Sequence, residues 1–293
     1  MNPIVRIQSR TADLGDGMLV RRVLPSRQQR MVGAWCFLDH AGPVDFGPGR
    51  GMHVGAHPHT ALQTFTWLIE GQVLHCDSLG NEQLIRPGQV NLMTAGHGIV
   101  HTEDSLHDGQ RLHAAQLWIA LPQEKADCPP AFDHYPDLPR WAEGNCDFTL
   151  LAGAYGGHRA QVRLHSPLLG MDLHSQPGSR VDVELNPTFE YGILPLAGSV
   201  DLQGTALETD EFAYLGAGLD RVRLQLAADT RVLLLGGEPF GAPVVMWWNF
   251  VGHSKAAIVA AQREWESGGP RFGRVRNDEG RRLAAPPLPW SGD

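Results

Sequence analysis

The sequence predicts an all-β protein of two antiparallel β-barrels with a short C-terminal helix and an extended tail. Three observations carry that expectation. Short β segments alternate with turn residues at intervals of about 8–12 positions, which is the pattern of a sandwich or barrel. A weaker copy of the same pattern follows. The length of 293 residues also exceeds what one hydrophobic core usually serves.

The first run occupies Ala61 to Glu103. LQTFTWLI (62–69), rich in β-branched and aromatic residues, runs into Glu70-Gly71. QVLHCD (72–77) follows, then the turn SLGN (78–81) and EQLI (82–85). Arg86-Pro87-Gly88 makes a tight turn, because proline presets φ and glycine supplies a positive φ. VNLMT (90–94), AGHG (95–98) and IVHTED (99–104) complete the run. No amphipathic helix interrupts it, so the strands should pair antiparallel.

CPPAFDHYPDLPRW (128–141) holds four prolines and little hydrophobic period, as a linker would. An N-terminal metal-binding domain over 1–130 and a degenerate C-terminal copy over 131–293 are therefore expected. In the second, LPLAGSVDLQG (194–204) can be laid over LIEGQVLHCDSLG (68–80), and YLGAG (214–218) over LMTAG (92–96). PVVMWWNFV (243–251) reads as a strand. Ser254 is the N-cap expected for a helix over 255–266, with Ile258, Ala261 and Trp265 on one face and Gly268-Gly269-Pro270 as its stop. The arginine-bearing remainder is expected to be extended and partly mobile.

Composition excludes several classes of function. Lys and Arg number 24 against 32 Asp and Glu, a net charge of −8 that opposes a phosphate backbone and argues against direct nucleic-acid binding. No run approaches the roughly 20 apolar residues of a membrane span. The first 22 residues lack an apolar core with a cleavage site, so the cytoplasm is the expected address. Cys36, Cys76, Cys128 and Cys146 form no C-x-x-C pair and are expected as reduced, buried thiols.

Histidine is the exception to this ordinary composition: nine of the 14 lie between His40 and His113. His57-Pro58-His59 places two imidazoles on one face of an extended chain, since residues i and i+2 point the same way. His101-Thr102-Glu103 does the same with an imidazole and a carboxylate. If neighbouring strands carry them, His57, His59, His101 and Glu103 can share one divalent metal ion and leave positions open. Three imidazoles and a carboxylate suit Fe(II), Mn, Ni, Cu or Zn; Fe(II) is favoured by the resemblance to oxygenase sites, copper by affinity order alone.

Other side chains carry weaker signals. His97, between two glycines, could line a pocket mouth or face solvent. His53, His75 and His113 read as structural or surface groups, and Phe65, Trp67 and Trp118 as core. Gln63 could hydrogen-bond behind the ligands or simply fill a half-buried strand position.

On FLDHAGPVDFGPG (37–49), GMHVGAHPHTALQTFTWLIEG (51–71), RPGQVNLMTAGHGIVHTE (86–103) and GEPFGAPVV (237–245), the chain resembles the pirin family of the cupin superfamily. The resemblance implies a bicupin with one metal, usually iron, bound in the N-terminal barrel by the residues matching His57, His59, His101 and Glu103. It departs at Thr60 and Gln63, where many relatives carry Arg and Glu. In the second barrel Glu184, Asn186, Arg223 and Gln225 fall at the matching positions, so that copy should bind no metal.

Two functions are compatible with the resemblance. One is a metal-dependent dioxygenase that cleaves flavonols such as quercetin with O2, in which Glu103 takes the hydroxyl proton. The other is a non-catalytic metal-sensing or redox-sensing regulator read by a partner protein.

Overall fold

A computed structural model describes residues 4–14, 18–106, 109–276, 280 and 282–290. The described residues are ordered mainly as antiparallel strands, with one α-helix among them, Lys255–Ser267. It forms two units of antiparallel sheet, as the strand and turn pattern predicts. No helix of the described residues is long and apolar enough to cross a membrane.

The chain divides into two compact units that are not consecutive stretches. One comprises Met1–Ala12, Val20–His40 and Asp137–Phe240; the other comprises Asp13–Leu19, Ala41–Pro136 and Gly241–Asp293. A single division at 130/131 captures only one of these crossings. Strand pairing and burial account for the two ends of the chain: Val5–Gln8 pairs with Glu211–Leu215, and the C-terminal segment seals an apolar cluster behind the histidine-bearing strands.

In the unit that carries the histidines, one sheet runs in the order His53–His59, Ile99–Ser105, Val73–Asp77, Glu82–Ile85. A second contains Ala131–Tyr135, Val90–Thr94, Leu62–Glu70 and Arg111–Ala120 in that order. All five strands expected between 62 and 104 form, and Phe65, Trp67, Leu92 and Ile119 are fully buried from the second sheet. The expected linker is not bare coil. Ala131–Tyr135 pairs with Val90–Thr94, and Arg140–Glu143 pairs with Cys146–Ala152, so each half satisfies its backbone groups on an existing sheet edge.

The turn before Ile99 depends on glycine. Gly96 sits at φ +51, and a Cβ there would lie 1.9 Å from the Cys128 carbonyl oxygen. That close approach lets His97 N donate to Cys128 O at 3.0 Å.

The segment 243–251, read as one strand, is a hairpin of Val245–Trp247 and Phe250–Gly252. It leads into the helix, whose N-cap is Ser254: its Oγ accepts from Ala257 N at 3.1 Å. Gly268, at φ 70, ends the helix in the left-handed conformation. Ile258, Ala261 and Trp265 bury the expected face, together with Phe250, Phe272, Ala56 and Val100. The chain beyond is extended but tied down, since Leu283 N donates to Ala56 O and Leu283 O accepts from Trp265 Nε1. Residues 277–279, 281 and 291–293 of the expected tail lie outside the described residues.

The other unit has a seven-stranded sheet from Val5–Gln8 to Arg140–Glu143 and a four-stranded sheet containing Ser179–Glu184, Arg221–Leu226, Ser199–Leu202 and Thr205–Glu208. Arg221–Leu226 alternates exposed and buried, the signature of a sheet with one face in the core.

Candidate metal centre

Three adjacent strands build the site by cross-strand pairing. His101 lies opposite His57 on one side and Asp77 on the other. Glu103 lies opposite His75, and His59 opposite Ile99. Between His101 and Glu103 the pairing with His53–His59 shifts by one residue, a β-bulge. The pairing on the other side carries no such shift, and it sets Glu103 opposite His75.

His57, His59 and His101 bring one nitrogen each within 4.8 Å of one another, and so can hold a metal ion. All three are buried. Glu103 joins a second such group, with His75 and His101. Of the predicted four, His57, His59 and His101 form one group, while Glu103 is grouped with His75 and His101 and shares only His101 with the triad. His75, read from sequence as a structural residue, belongs to the cluster. The signal was present in H-x-D at 75–77, a third i, i+2 pair on the adjoining strand. His53, His97 and His113 belong to neither group.

With His75 neutral, the hydrogen bonds assign the imidazole protons. His57 Nδ1–H donates to Gly55 O at 2.8 Å, and His59 Nδ1–H to Asn249 O at 3.0 Å. His75 Nε2 lies 3.1 Å from Asp77 Oδ2 and must carry its proton there, since a carboxylate only accepts. His75 Nδ1 is then the acceptor for His101 Nδ1–H at 3.3 Å. Each member of the triad thus keeps its proton on Nδ1 and its lone pair on Nε2. With His75 neutral, moving a proton to either facing Nε2 would set a lone pair against a carbonyl oxygen at His59, or against the Asp77 carboxylate through His75.

Burial reinforces the neutral state. It lowers His57 to about 4 and drives His59 and His101 well below the ordinary imidazole range, with mutual repulsion adding to the effect in both. Burial raises the Glu103 carboxyl above its usual range, partly offset by His75 and Thr66. At Asp77 burial also opposes the charge, but hydrogen bonds from His75 and Asn81 outweigh it and hold the carboxyl low.

A resident divalent metal fits this donor set. The Nε2 atoms of His59 and His101 stand 3.1 Å apart, and in this proton arrangement neither has a hydrogen to offer the other. A cation among the three Nε2 atoms resolves that repulsion, and the back-side Nδ1–H bonds are those that metal-bound histidines usually make.

Residues 17–119 match the Pirin family model, and residues 170–273 match the Pirin C-terminal cupin domain. The chain belongs to the pirin family. A Pseudomonas aeruginosa protein, provisionally named a quercetin 2,3-dioxygenase, is 61% identical over 98% of this chain and 91% of its own length. A pirin-like protein of Caulobacter vibrioides is 39% identical over 89% of this chain and 92% of its own. A crystal structure of a quercetin 2,3-dioxygenase from Acinetobacter baumannii matches with a TM-score of 0.95 at 49% identity, covering 98% of this chain and 96% of that one.

The pirin triad lies in the stretch matching the N-terminal model. In the C-terminal cupin domain the overlay slips by one residue: Glu184, Asn186, Arg223 and Gln225 are exposed, and Arg223 pairs with Asp182 at 2.8 Å. The buried positions of those strands are Val181, Val183, Val222, Leu224 and Leu226, whose aliphatic side chains supply no donor atoms.

At the two positions that the resemblance singles out, Thr60 Oγ1 donates to Val251 O at 3.0 Å, and Gln63 Nε2 donates to Thr94 Oγ1 at 2.9 Å. Phe65, Trp67 and Trp118 are buried as core residues, although Trp118 also meets the His59 ring edge-on at 5.1 Å.

Proposed function

We propose that this pirin is a metal-dependent dioxygenase acting on flavonols such as quercetin, with His57, His59, His101 and Glu103 as its metal-binding residues and Fe(II) as the resident ion. The observation that carries the reading is the convergence of three buried imidazoles, one nitrogen of each lying within 4.8 Å of the others. The names of the 61% and 49% identical relatives supply the substrate class.

When bound, Fe(II) supplies a Lewis-acidic, redox-active centre for the flavonol oxygens and dioxygen. The protein's own part is positional and protolytic. His57, His59 and His101 stay neutral through burial and keep their donor atoms fixed. Glu103 takes the flavonol 3-hydroxyl proton; burial suits it to this role, because a carboxyl pushed above its ordinary range is a stronger base. The electron-rich flavonolate then loses carbon monoxide as dioxygen opens the central ring. We place this chemistry in the cytoplasm, where the four cysteines, none in a disulfide, stay reduced.

The deciding experiment loads the protein anaerobically with Fe(II), adds quercetin and follows oxygen consumption and carbon monoxide release. Turnover is the expected result. No uptake with Fe(II), Mn, Ni, Cu or Zn replaces the enzyme with the regulatory, partner-binding reading.

A further inference from the structure

The triad's three back-side hydrogen bonds are not alike. Those of His57 and His59 end on backbone carbonyls, which no substitution of the acceptor's side chain removes. The bond from His101 ends on His75 Nδ1, which accepts only while the His75 proton stays on Nε2. Asp77 Oδ2, 3.1 Å away, keeps it there.

Asp77 is firmly seated. Leu79 N and Asn81 N donate to its Oδ1 at 2.9 and 3.1 Å, and Asn81 Nδ2 donates to both carboxylate oxygens. The carboxylate is buried at 1% exposure. Phe132 stacks on the His75 ring, with centroids 4.4 Å apart and planes 16° from parallel, which sets the plane of the relay.

We infer that Asp77 and His75 form a positioning relay that holds His101 in its Nδ1–H tautomer and so presents its Nε2 lone pair to the metal. The inference rests on reading His57, His59 and His101 as ligands. Neither relay residue touches the reacting atoms. Each acts through His101, and the negative end of the chain makes that imidazole a better donor.

Asp77→Asn tests the relay by reversing it. Leu79 N and Asn81 N require an acceptor on their side, so the new amide turns its NH2 toward His75. His75 must then carry its proton on Nδ1, and His101 accepts there and moves its own proton to Nε2, facing His59. Zn2+ affinity measured by competition should fall about 10–100-fold. Imidazole 15N spectra of the metal-free protein should show His101 protonated on Nε2 instead of Nδ1.

His75→Phe preserves the stack on Phe132 and leaves the Asp77 turn in place, so it answers the question even where Asp77→Asn does not fold. It should lose Zn2+ affinity to a similar degree. Asp77→Glu should recover part of it. Wild-type Zn2+ affinity in Asp77→Asn or His75→Phe, or an unchanged His101 tautomer in Asp77→Asn, overturns the relay. His101→Ala separates the two levels. If it too binds Zn2+ normally, the ligand assignment fails; if it loses Zn2+ while both relay variants keep it, only the relay fails.

Discussion

Nε2 of His59 lies 3.1 Å from Nε2 of His101, on strands joined through 42 residues of chain. With both Nδ1 protons committed elsewhere, two lone pairs face each other inside a buried site. A neutral protein interior does not normally tolerate such a contact, and a shared cation turns it into an attraction.

Removing one side of that contact should remove the cation. His101→Ala is expected to purify with most of its metal missing by elemental analysis, while circular dichroism shows the strands intact. Full metal occupancy in this variant counts against the triad.

Glu103→Gln separates binding from proton transfer. The amide keeps an oxygen donor but cannot accept the substrate proton, so metal content should survive while kcat falls by about 10²–10⁴. Unchanged turnover takes Glu103 out of the base role.

The metal-free protein should lose stability in acid over a defined window. The folded state holds His57 near 4, against 6.5 for a free imidazole. Below 6.5 the unfolded chain therefore binds more protons than the folded one. This contribution is fully present above pH 6.5, shrinks as pH falls, and is gone below about 4, a loss on the order of 3 kcal/mol. His59 and His101, shifted further in the same direction, steepen the fall. Urea denaturation of the metal-free protein from pH 7.5 to 4.5 should show a declining midpoint, and a flat profile contradicts the burial argument.

Phe250→Ala should damage the histidine-bearing unit in two ways. Phe250 is fully buried among Trp247, Trp248 and Phe272, and its truncation should cost roughly 3–5 kcal/mol in unfolding free energy. It also follows Asn249, whose carbonyl holds the His59 tautomer, so metal affinity should drop together with the melting temperature. Lowered stability with undiminished affinity rules out the second effect.

Much of the fold is legible locally. Pro87-Gly88 and Gly96 punctuate the strands, and Ser254 with Gly268 brackets the helix, because caps and turns depend on a few neighbouring residues. The i, i+2 spacing places His57 with His59 and His101 with Glu103, since alternation along a strand is a property of the backbone alone. The same rule applies to His75 and Asp77. Their spacing alone does not single them out, because one histidine near an aspartate is common, and their importance arises only from lying opposite Glu103 and His101.

Strand alternation, turn chemistry and helix capping were thus determined by the sequence itself, together with the choice of imidazole as the dominant donor. Tertiary structure alone decided the register that sets Glu103 opposite His75, the reach of Asn249 O across 190 residues to His59, and the assignment of Gly241–Asp293 to the histidine-bearing unit. Those outcomes depend on which distant surfaces bury one another. That is a global balance of burial against chain entropy, which no short window of residues contains.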